Sequence, residues 1–227
     1  MRKFPILLFA LMMLACEAKL FPQNIIPNAV TDIDGNSYNA VKIGDQVWLA
    51  ENMRAKHDRD GNTIALGHGS ELIRYYPDNN SKNVRKYGYL YNWEAAAVVC
   101  PNGWHLPTGA EWLQLKNYVE SQGQYVCGED KKHIAKALAS TYGWNSCEDS
   151  SPWDICSNSS SNNVTGFCAL PAGDIEGHFG VYARFWSAPD ANEYSSITYQ
   201  SLYYANGCVS AYYYIHYDAF SVRCVKD

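Results

Sequence analysis

Hydrophobic and polar residues in the first part of the chain follow a pattern that predicts a β-hairpin. Two mainly apolar runs, residues 38–43 and 47–52, flank Gly44 and Asp45. A two-residue turn of this kind joins adjacent antiparallel strands. The segment before the hairpin, residues 16–30, contains two prolines and is predicted to be an irregular tether.

Helical signals follow further along the chain. Residues 93–99 contain three consecutive alanines and stop before a proline, which predicts a compact helix after a short strand at 87–91. Thr108 and Glu111 have the spacing of a capping box, and the apolar residues after them repeat at helical spacing. This pattern predicts the main helix, and residues 131–140 predict a second, shorter one.

The second half of the chain predicts antiparallel strands that follow a long polar loop. Residues 146–163 are rich in Ser, Asn and Asp and show no sustained periodicity, which indicates a loop. Five β-rich runs come next, separated by Gly, Asn, Asp and Pro. They are residues 166–172, 181–187, 197–204, 209–215 and 220–225. Together with the helices, they predict one α+β domain.

The first residues have the pattern of an export signal. A basic start precedes the apolar run 4–15, which is shorter than the roughly 20 residues that span a bilayer. The four residues MLAC, ending at Cys16, resemble the lipobox of bacterial lipoproteins, so lipid is expected on Cys16. An ordinary secretory signal cut elsewhere is the alternative. The predicted organisation is a signal peptide at 1–15, a tether at 16–30 and a domain at 31–227, lipid-anchored in the cell envelope at the outer membrane or cell surface.

Composition and charge argue against nucleic-acid binding and favour an exported protein. The chain has 18 Lys and Arg against 23 Asp and Glu, a net charge of −5. A mildly acidic chain lacks the basic surface that binds phosphate backbones, so nucleic acid is not an expected partner. The 8 cysteines and 18 tyrosines suit an exported protein. If Cys16 carries lipid, an odd number of cysteines is left, and at least one has no disulfide partner.

Motifs for metal binding and catalysis are weak. Residues 32–36 and 58–62 resemble the start of a calcium loop, but neither has the glutamate at the twelfth position, so both are predicted to be turns. The sequence contains no CxxC, HxxxH or HExxH motif. Its six histidines lack the spacing of a catalytic triad. We therefore expect no metal, no cofactor and no catalysis, and the alternative is an enzyme of unrecognised chemistry.

Several segments together resemble the Fibrobacter succinogenes major paralogous domain. The resemblance extends over essentially the whole chain after residue 30. The segments that carry it are VTDIDGN (30–36), VKIGDQVWLAENM (41–53), YGYLYNW (87–93), CPNGWHLPT (100–108), EW (111–112), GF (166–167), ALPAG (169–173), FWS (185–187) and FSVRCVKD (220–227).

This family is similar in turn to the C-type lectin-like superfamily, which also contains the formylglycine-generating enzymes. The resemblance implies an α+β, C-type lectin-like fold with two main helices, antiparallel strands and long loops, and it implies a disulfide between Cys100 and Cys224. The paired cysteines that hold copper in formylglycine-generating enzymes are not reproduced around Cys208. The calcium signatures of C-type lectins are also missing from the sequence. A binding role is therefore favoured over a catalytic one.

The remaining cysteines are assigned by their positions. Cys147 and Cys156 flank the centre of the polar loop, so their proximity makes them the next expected pair. Cys168 with Cys208 is the third expected pair. Cys127 is then the unpaired thiol.

Aromatic residues are the candidates for ligand contact. Nine of the 18 tyrosines come after residue 180, and some must face outward because consecutive strand residues point to opposite faces. Such rings stack on the C–H faces of sugars, although a cross-strand ladder is the alternative for any single ring. In the polar loop, an expected disulfide would hold an exposed tryptophan and its neighbour at the tip. The predicted ligand contacts are Trp153, Asp154, Tyr194, Tyr204 and Tyr212.

These features predict a binding module whose partner is a glycan or a cell-surface protein, with a role in carbohydrate binding or surface adhesion. A structural envelope protein that binds another protein is a further alternative.

Overall fold

The computed structural model describes residues 24–123, 126, 133–189, 197–213 and 217–227. Eleven strands and four α-helices lie in these residues. The strands are β1 (Ile25–Thr31), β2 (Ser37–Ile43), β3 (Gln46–Leu49), β4 (Ala65–Leu66), β5 (Ile73–Tyr75), β6 (Leu90–Tyr91), β7 (Trp104–His105), β8 (Tyr182–Ser187), β9 (Thr198–Tyr203), β10 (Val209–Tyr213) and β11 (Val225–Lys226). The helices are α1 (Val84–Tyr87), α2 (Trp93–Ala96), α3 (Gly109–Ser121) and α4 (Ala135–Leu138), and short 3₁₀ turns lie at Pro77–Asn79, Ser81–Asn83 and Ser159–Ser161.

The largest sheet is antiparallel and has the strand order β1-β2-β3-β11-β7. The predicted hairpin is confirmed as β2 and β3, and Gly44 takes a positive φ of 61° in its turn. β11 lies between β3 and β7, because Val225 pairs with both Trp48 and His105. The last residues of the chain therefore lie inside the sheet that its first strands form.

β1 begins inside the segment that we predicted as an irregular tether. Its ladder with β2 is interrupted between Ile26 and Val30. Pro27 has no amide hydrogen to donate, and Asn28 takes a positive φ of 49°. The proline therefore breaks an edge strand locally and does not prevent it from forming.

Two smaller sheets complete the fold. One is antiparallel with the order β10-β9-β8, and the other has the order β4-β5-β6 with β4 parallel to β5. In the first of these, Ala183, Phe185 and Leu202 are buried against the core. Because side chains alternate along a strand, the residues between them face the other way.

The prediction of a C-type lectin-like fold with two main helices is wrong. Strands in three sheets dominate the described residues, and α3 is the one described helix longer than a single turn. α3 does begin at the predicted capping box, in which Thr108 and Glu111 each accept a hydrogen bond from the other's backbone amide. No described helix is long and apolar enough to cross a membrane.

The second predicted helix, residues 131–140, is reduced in its described part to the four residues of α4. All four are buried, including Lys136. Ala139 then becomes extended and forms a bridge with Ala169. Helix propensity is a weak preference, and here pairing of the buried chain with a neighbouring segment overrides it.

The predicted strands differ in how well they match. The strands predicted at 181–187 and 197–204 are confirmed as β8 and β9, and the described residues of the strand predicted at 209–215 form β10. Residues 166–172 and 220–225 form isolated bridges, with one residue of the latter in β11. Each of these segments therefore pairs with its neighbours at single residues and not along a continuous strand.

Four aromatic rings form the centre of the core between the five-stranded sheet and the β8–β10 sheet. The ring centroid of Trp48 lies 4.8 Å from that of Trp112 and 5.7 Å from that of Phe167. The centroid of Phe185 lies 5.8 Å from those of Trp112 and Phe167. Such edge and tilted contacts contribute roughly 0.5–1.5 kcal/mol each beyond the burial of their area.

Arg223 is fully buried next to this cluster. Its guanidinium donates to the carbonyls of Leu49 at 3.0 Å, Cys168 at 3.2 Å and Phe167, and to Asn52 Oδ1 at 2.6 Å. Burial lowers the pKa of Arg223 to about 10. The charge is held by carbonyl and amide oxygens, which join the last strand region to β3 and to the segment around residue 167.

Two of the expected disulfides are confirmed. Cys100 bonds to Cys224, which links the segment after α2 to the residue before β11, and Cys147 bonds to Cys156 across the polar loop. The first closes a loop of 124 residues. Cys16 and Cys127 lie outside the described residues.

The third expected pair, Cys168 with Cys208, is wrong. Cys168 is a free cysteine. The carbonyl of Cys168 accepts a hydrogen bond from buried Arg223, which holds Cys168 in the core. Cys208 lies elsewhere, immediately before β10. Burial raises the pKa of the Cys168 thiol.

Candidate functional site

The outward face of the β8–β10 sheet carries a groove lined by tyrosines. Its volume is about 310 Å³, at the lower end of the range of small-molecule sites, roughly 300–1,000 Å³. We call it the tyrosine groove. Its lining residues are Tyr182, Arg184, Tyr199, Ser201, Tyr203, Asn206, Cys208, Ser210 and Tyr212.

Strand register assembles the tyrosine groove from distant positions. Three rows cross the sheet, because residues opposite each other in an antiparallel pair point to the same face. Tyr182 lies opposite Tyr203, and Tyr199 lies opposite Tyr212. Between these two rows, Ser201 lies opposite both Arg184 and Ser210. The result is a polar row flanked on each side by aromatic rings.

The rings also contact each other across the strands. The centroids of Tyr182 and Tyr203 are 5.0 Å apart, and Tyr199 stacks on Tyr212 at 5.6 Å. Tyr204 extends the row with an edge contact to Tyr203 at 4.9 Å. The same tyrosine rings therefore form both the cross-strand ladder and the outward aromatic surface, which the sequence offered as alternatives. Ring contacts limit the rotamers of the side chains and so prearrange the surface.

Arg184 is fixed in the floor of the tyrosine groove. Its guanidinium carbon lies 4.1 Å from the ring centroid of Tyr182 and 5.7 Å from that of Tyr199. Nη1 forms an ion pair with Asp174, whose side chain is completely buried. His178 Nδ1 lies 3.0 Å from both oxygens of the same carboxylate. The buried carboxylate therefore sets the position of the guanidinium.

A second carboxyl group, that of Asp218, interacts electrostatically with Asp174 and Arg184. Burial and the negative charge of Asp174 raise the pKa of Asp218 to about 6, although Arg184 acts in the opposite direction. Burial also raises the pKa of Tyr199, to which Asp218 adds a smaller contribution. Two carboxyl groups of the described residues, Asp174 and Asp218, therefore interact with the arginine of the tyrosine groove.

The polar loop supports one end of the groove. The amide of Cys156 donates to the carbonyl of Tyr204 at 2.9 Å, and the amide of Ala135 donates to the carbonyl of Gly207 at 2.8 Å. A Cβ atom added at Gly207 would lie 2.9 Å from the carbonyl oxygen of Trp153. The loop therefore packs directly against the turn between β9 and β10.

Trp153 and Asp154 are not exposed at a loop tip as predicted. The Trp153 ring is half-buried and stacks on His133, with centroids 5.1 Å apart and an interplanar angle of 5°. The Asp154 carboxylate accepts a hydrogen bond from the Ser151 amide at 2.8 Å. The Asp154 carbonyl accepts one at 3.0 Å from Lys136 Nζ. These contacts give both residues a supporting role in the loop.

Lys136 of α4 is buried against this loop. It is 2% exposed, and its ammonium group donates to the carbonyls of Asp154 and Ser157. Burial lowers the pKa of Lys136 to about 8, and the charge of Asp154 opposes this shift. The loop is therefore folded around a buried cation.

The structure brings two of the five predicted ligand contacts to the groove. Tyr212 lines it, and Tyr204 lies at its end. Tyr194 lies outside the described residues. Arg184 and the two serines of the polar row were not predicted from the sequence as site residues. Alternation along residues 181–187 and 197–204 indicated which side chains share a face, but not which strands are neighbours.

The segments that resemble calcium loops are turns, as predicted. Asp32 Oδ1 accepts hydrogen bonds from the amides of Asp34 at 3.0 Å and Asn36 at 2.9 Å. Asp58 Oδ1 accepts equivalent bonds at 2.9 and 2.8 Å from residues two and four positions later. Their carboxylates are thus occupied by the backbone. No group of three metal-ligating side chains occurs in the described part of the chain.

His105 has a structural environment. Its Nδ1 lies 2.6 Å from Asp227 Oδ1, and its Nε2 lies 2.8 Å from Glu111 Oε1. Burial lowers the pKa of His105, but the hydrogen bonds of Asp227 and then Glu111 outweigh it, so the pKa is raised overall. The imidazole links the end of the chain to the first turn of α3.

Comparison with known proteins supports the resemblance noted in the sequence. No curated protein and no solved structure matched the chain. The family model of the Fibrobacter succinogenes major domain matches residues 41–226. This match includes the turn between β2 and β3, the polar loop and all three strands of the tyrosine groove. The chain therefore belongs to the Fibrobacter succinogenes major domain family.

Proposed function

We propose that this protein is a lipid-anchored binding module of the bacterial cell envelope that binds carbohydrate through the tyrosine groove, without catalysing a reaction. The observation that carries the proposal is the arrangement of four tyrosine rings around a polar row on one sheet face. Adhesion to a glycan-coated surface is the corresponding cellular role.

The chemistry of the groove suits a sugar. Tyrosine rings offer flat apolar surfaces to the C–H faces of a pyranose and hydroxyl groups at their edges. Ser201, Ser210 and Asn206 supply further polar groups between the rings. Small-molecule sites combine such apolar walls with a few convergent polar groups. A row of rings about 5–6 Å apart across the strands favours an extended oligosaccharide.

A matched pair of variants on β10 tests this proposal. Tyr212 and Tyr213 are consecutive, 51% and 73% exposed, and lie on opposite faces of the sheet. We expect Tyr212→Ala to weaken glycan binding at least tenfold, because it removes a ring from the groove. Tyr213→Ala should change it less than twofold. Binding is measured on a glycan array with and without a calcium chelator, and then by titration calorimetry with the glycans that bind.

Equal losses in the two variants, or unchanged binding in Tyr212→Ala, would contradict the assignment of the groove. Retained binding in chelator is expected, since the described residues contain no metal-binding cluster and the rings act without a cation.

The lipid anchor is tested separately from the groove. The lipobox-like MLAC segment ends at Cys16, and stable anchoring by acyl chains takes more than one chain. Cys16→Ser should yield protein that is unprocessed or released from the membrane fraction. Palmitate labelling that persists in this variant would refute the anchor.

A further inference from the structure

We propose that the tyrosine groove selects neutral over anionic carbohydrates. This inference rests on the proposed function and adds the chemical class of its ligand. It comes from the charges around the groove, which the four tyrosine rings alone do not reveal.

Arg184 is the one cationic side chain among the residues that line the groove. Its Nη1 is used by the ion pair with Asp174, and one face of the guanidinium lies against the ring of Tyr182. Arginine recognises carboxylate and sulfate groups through two parallel N–H donors. An Arg184 held in this way has its charge balanced by a buried carboxylate before any ligand arrives.

The surrounding groups add negative charge. In addition to burial, the negative charges of Asp174 and Glu176 both raise the pKa of Asp218, whereas Arg184 lowers it. His178 Nδ1 also lies 3.0 Å from the Asp174 carboxylate. In the described part of this cluster, three carboxyl groups therefore accompany one arginine, and Asp218 is ionised at pH 8, above its pKa of about 6.

An anionic sugar would lose hydration on entering this groove, and the one arginine among the described lining residues is already paired with Asp174. Burying an ionised group without a partner is strongly unfavourable. A neutral sugar loses only hydroxyl hydration, which Ser201, Ser210 and the tyrosine hydroxyls can replace. The groove therefore favours hexoses and pentoses without carboxylate or sulfate groups.

The experiment compares two sets of immobilised polysaccharides at pH 8 and at two salt concentrations. The neutral set is a β-glucan, a xylan and a galactomannan, and the anionic set is polygalacturonate and alginate. We expect wild-type protein to bind at least one neutral polymer and to bind both anionic polymers at least tenfold more weakly. Equal or tighter binding to an anionic polymer, lost in Tyr212→Ala, would overturn this inference and leave the proposed function standing. Binding to none of the polymers would overturn both.

Charge variants show whether the carboxylates cause the selection. Asp218→Asn and Glu176→Gln each remove one negative charge, and Glu176 lies on an exposed turn. Each variant should raise affinity for polygalacturonate roughly threefold to fivefold, the effect of one unit charge at a screened distance of several ångströms. Affinity for the neutral polymer should change less than twofold. If both variants fold and neither changes the ratio of neutral to anionic binding, charge does not determine the selection and the inference is wrong.

Discussion

Replacement of Arg223 is the strongest test of how this fold is held together. Arg223→Met keeps most of the length of the side chain and removes its donors. The guanidinium donates to three backbone carbonyls and to the side-chain oxygen of Asn52, and it is fully buried. In the variant these oxygens lose their donor in a place that water does not reach.

The magnitude follows from the number of acceptors. A hydrogen bond to a charged group contributes roughly 1.5–3 kcal/mol, so four acceptors at the lower value give about 6 kcal/mol. Packing of the methionine side chain and removal of the buried charge offset about 2 kcal/mol of this loss of stability. We therefore expect Arg223→Met to lower the free energy of unfolding by about 4 kcal/mol. Arg223→Lys, which keeps the charge with fewer donors, should lose about half as much.

The assay is urea denaturation followed by tryptophan fluorescence and by far-UV circular dichroism. Arg85→Met is the matched control, because Arg85 is an exposed residue at the surface of α1, where substitutions usually change stability by less than about 0.5 kcal/mol. A loss below about 1 kcal/mol in Arg223→Met would show that these hydrogen bonds do not hold the core. So would equal effects of Arg223→Met and Arg85→Met.

Three further predictions concern other parts of the molecule. Asp218 has a pKa raised to about 6 in the folded state, so its ionisation costs stability as pH rises from about 4 to 6; Asp218→Asn should gain about 1 kcal/mol at pH 8, after allowance for solvent screening, and nothing at pH 4. Chemical denaturation at both pH values checks this, and a gain at pH 4 would contradict it. Trp153→Ala should lower stability by about 2 kcal/mol through loss of the stack on His133, while glycan binding by the groove is retained; a tenfold loss of binding at unchanged melting temperature would return Trp153 to the site. Replacing Cys100 and Cys224 together by alanine should cost about 5 kcal/mol on the loop-closure model for a 124-residue loop, and a melting temperature equal to that of the wild type would refute it.

Local features of the structure were predictable because their causes lie within a few residues. Gly44 and the alternating residues beside it specify the β2–β3 hairpin, and the capping box at Thr108 specifies where α3 begins. The turns at Asp32 and Asp58 form because each carboxylate reaches amides two and four residues later. None of these features depends on the rest of the chain.

The fold class was not predictable in the same way. Residues 131–140 have the composition of a helix, yet α4 is four residues long and Ala139 pairs with Ala169, 30 positions later. The order of strands in the five-stranded sheet depends on Val225, which is placed between Trp48 and His105. Such long-range pairings are selected by burial and packing, which outweigh local propensity.

The candidate site shows the same division. By itself, the sequence determined that the described residues of 181–187, 197–204 and 209–213 form strands rich in tyrosine, because alternation and composition are local signals. Only the tertiary structure decided that Tyr182 faces Tyr203, that Arg184 shares a row with two serines and that its charge is balanced by Asp174. The tertiary structure also stacks Trp153 on His133, so Trp153 is not the exposed ligand contact that the sequence predicted. Register and charge pairing join residues that are far apart in sequence, and their energies exist only once the core has brought those residues together.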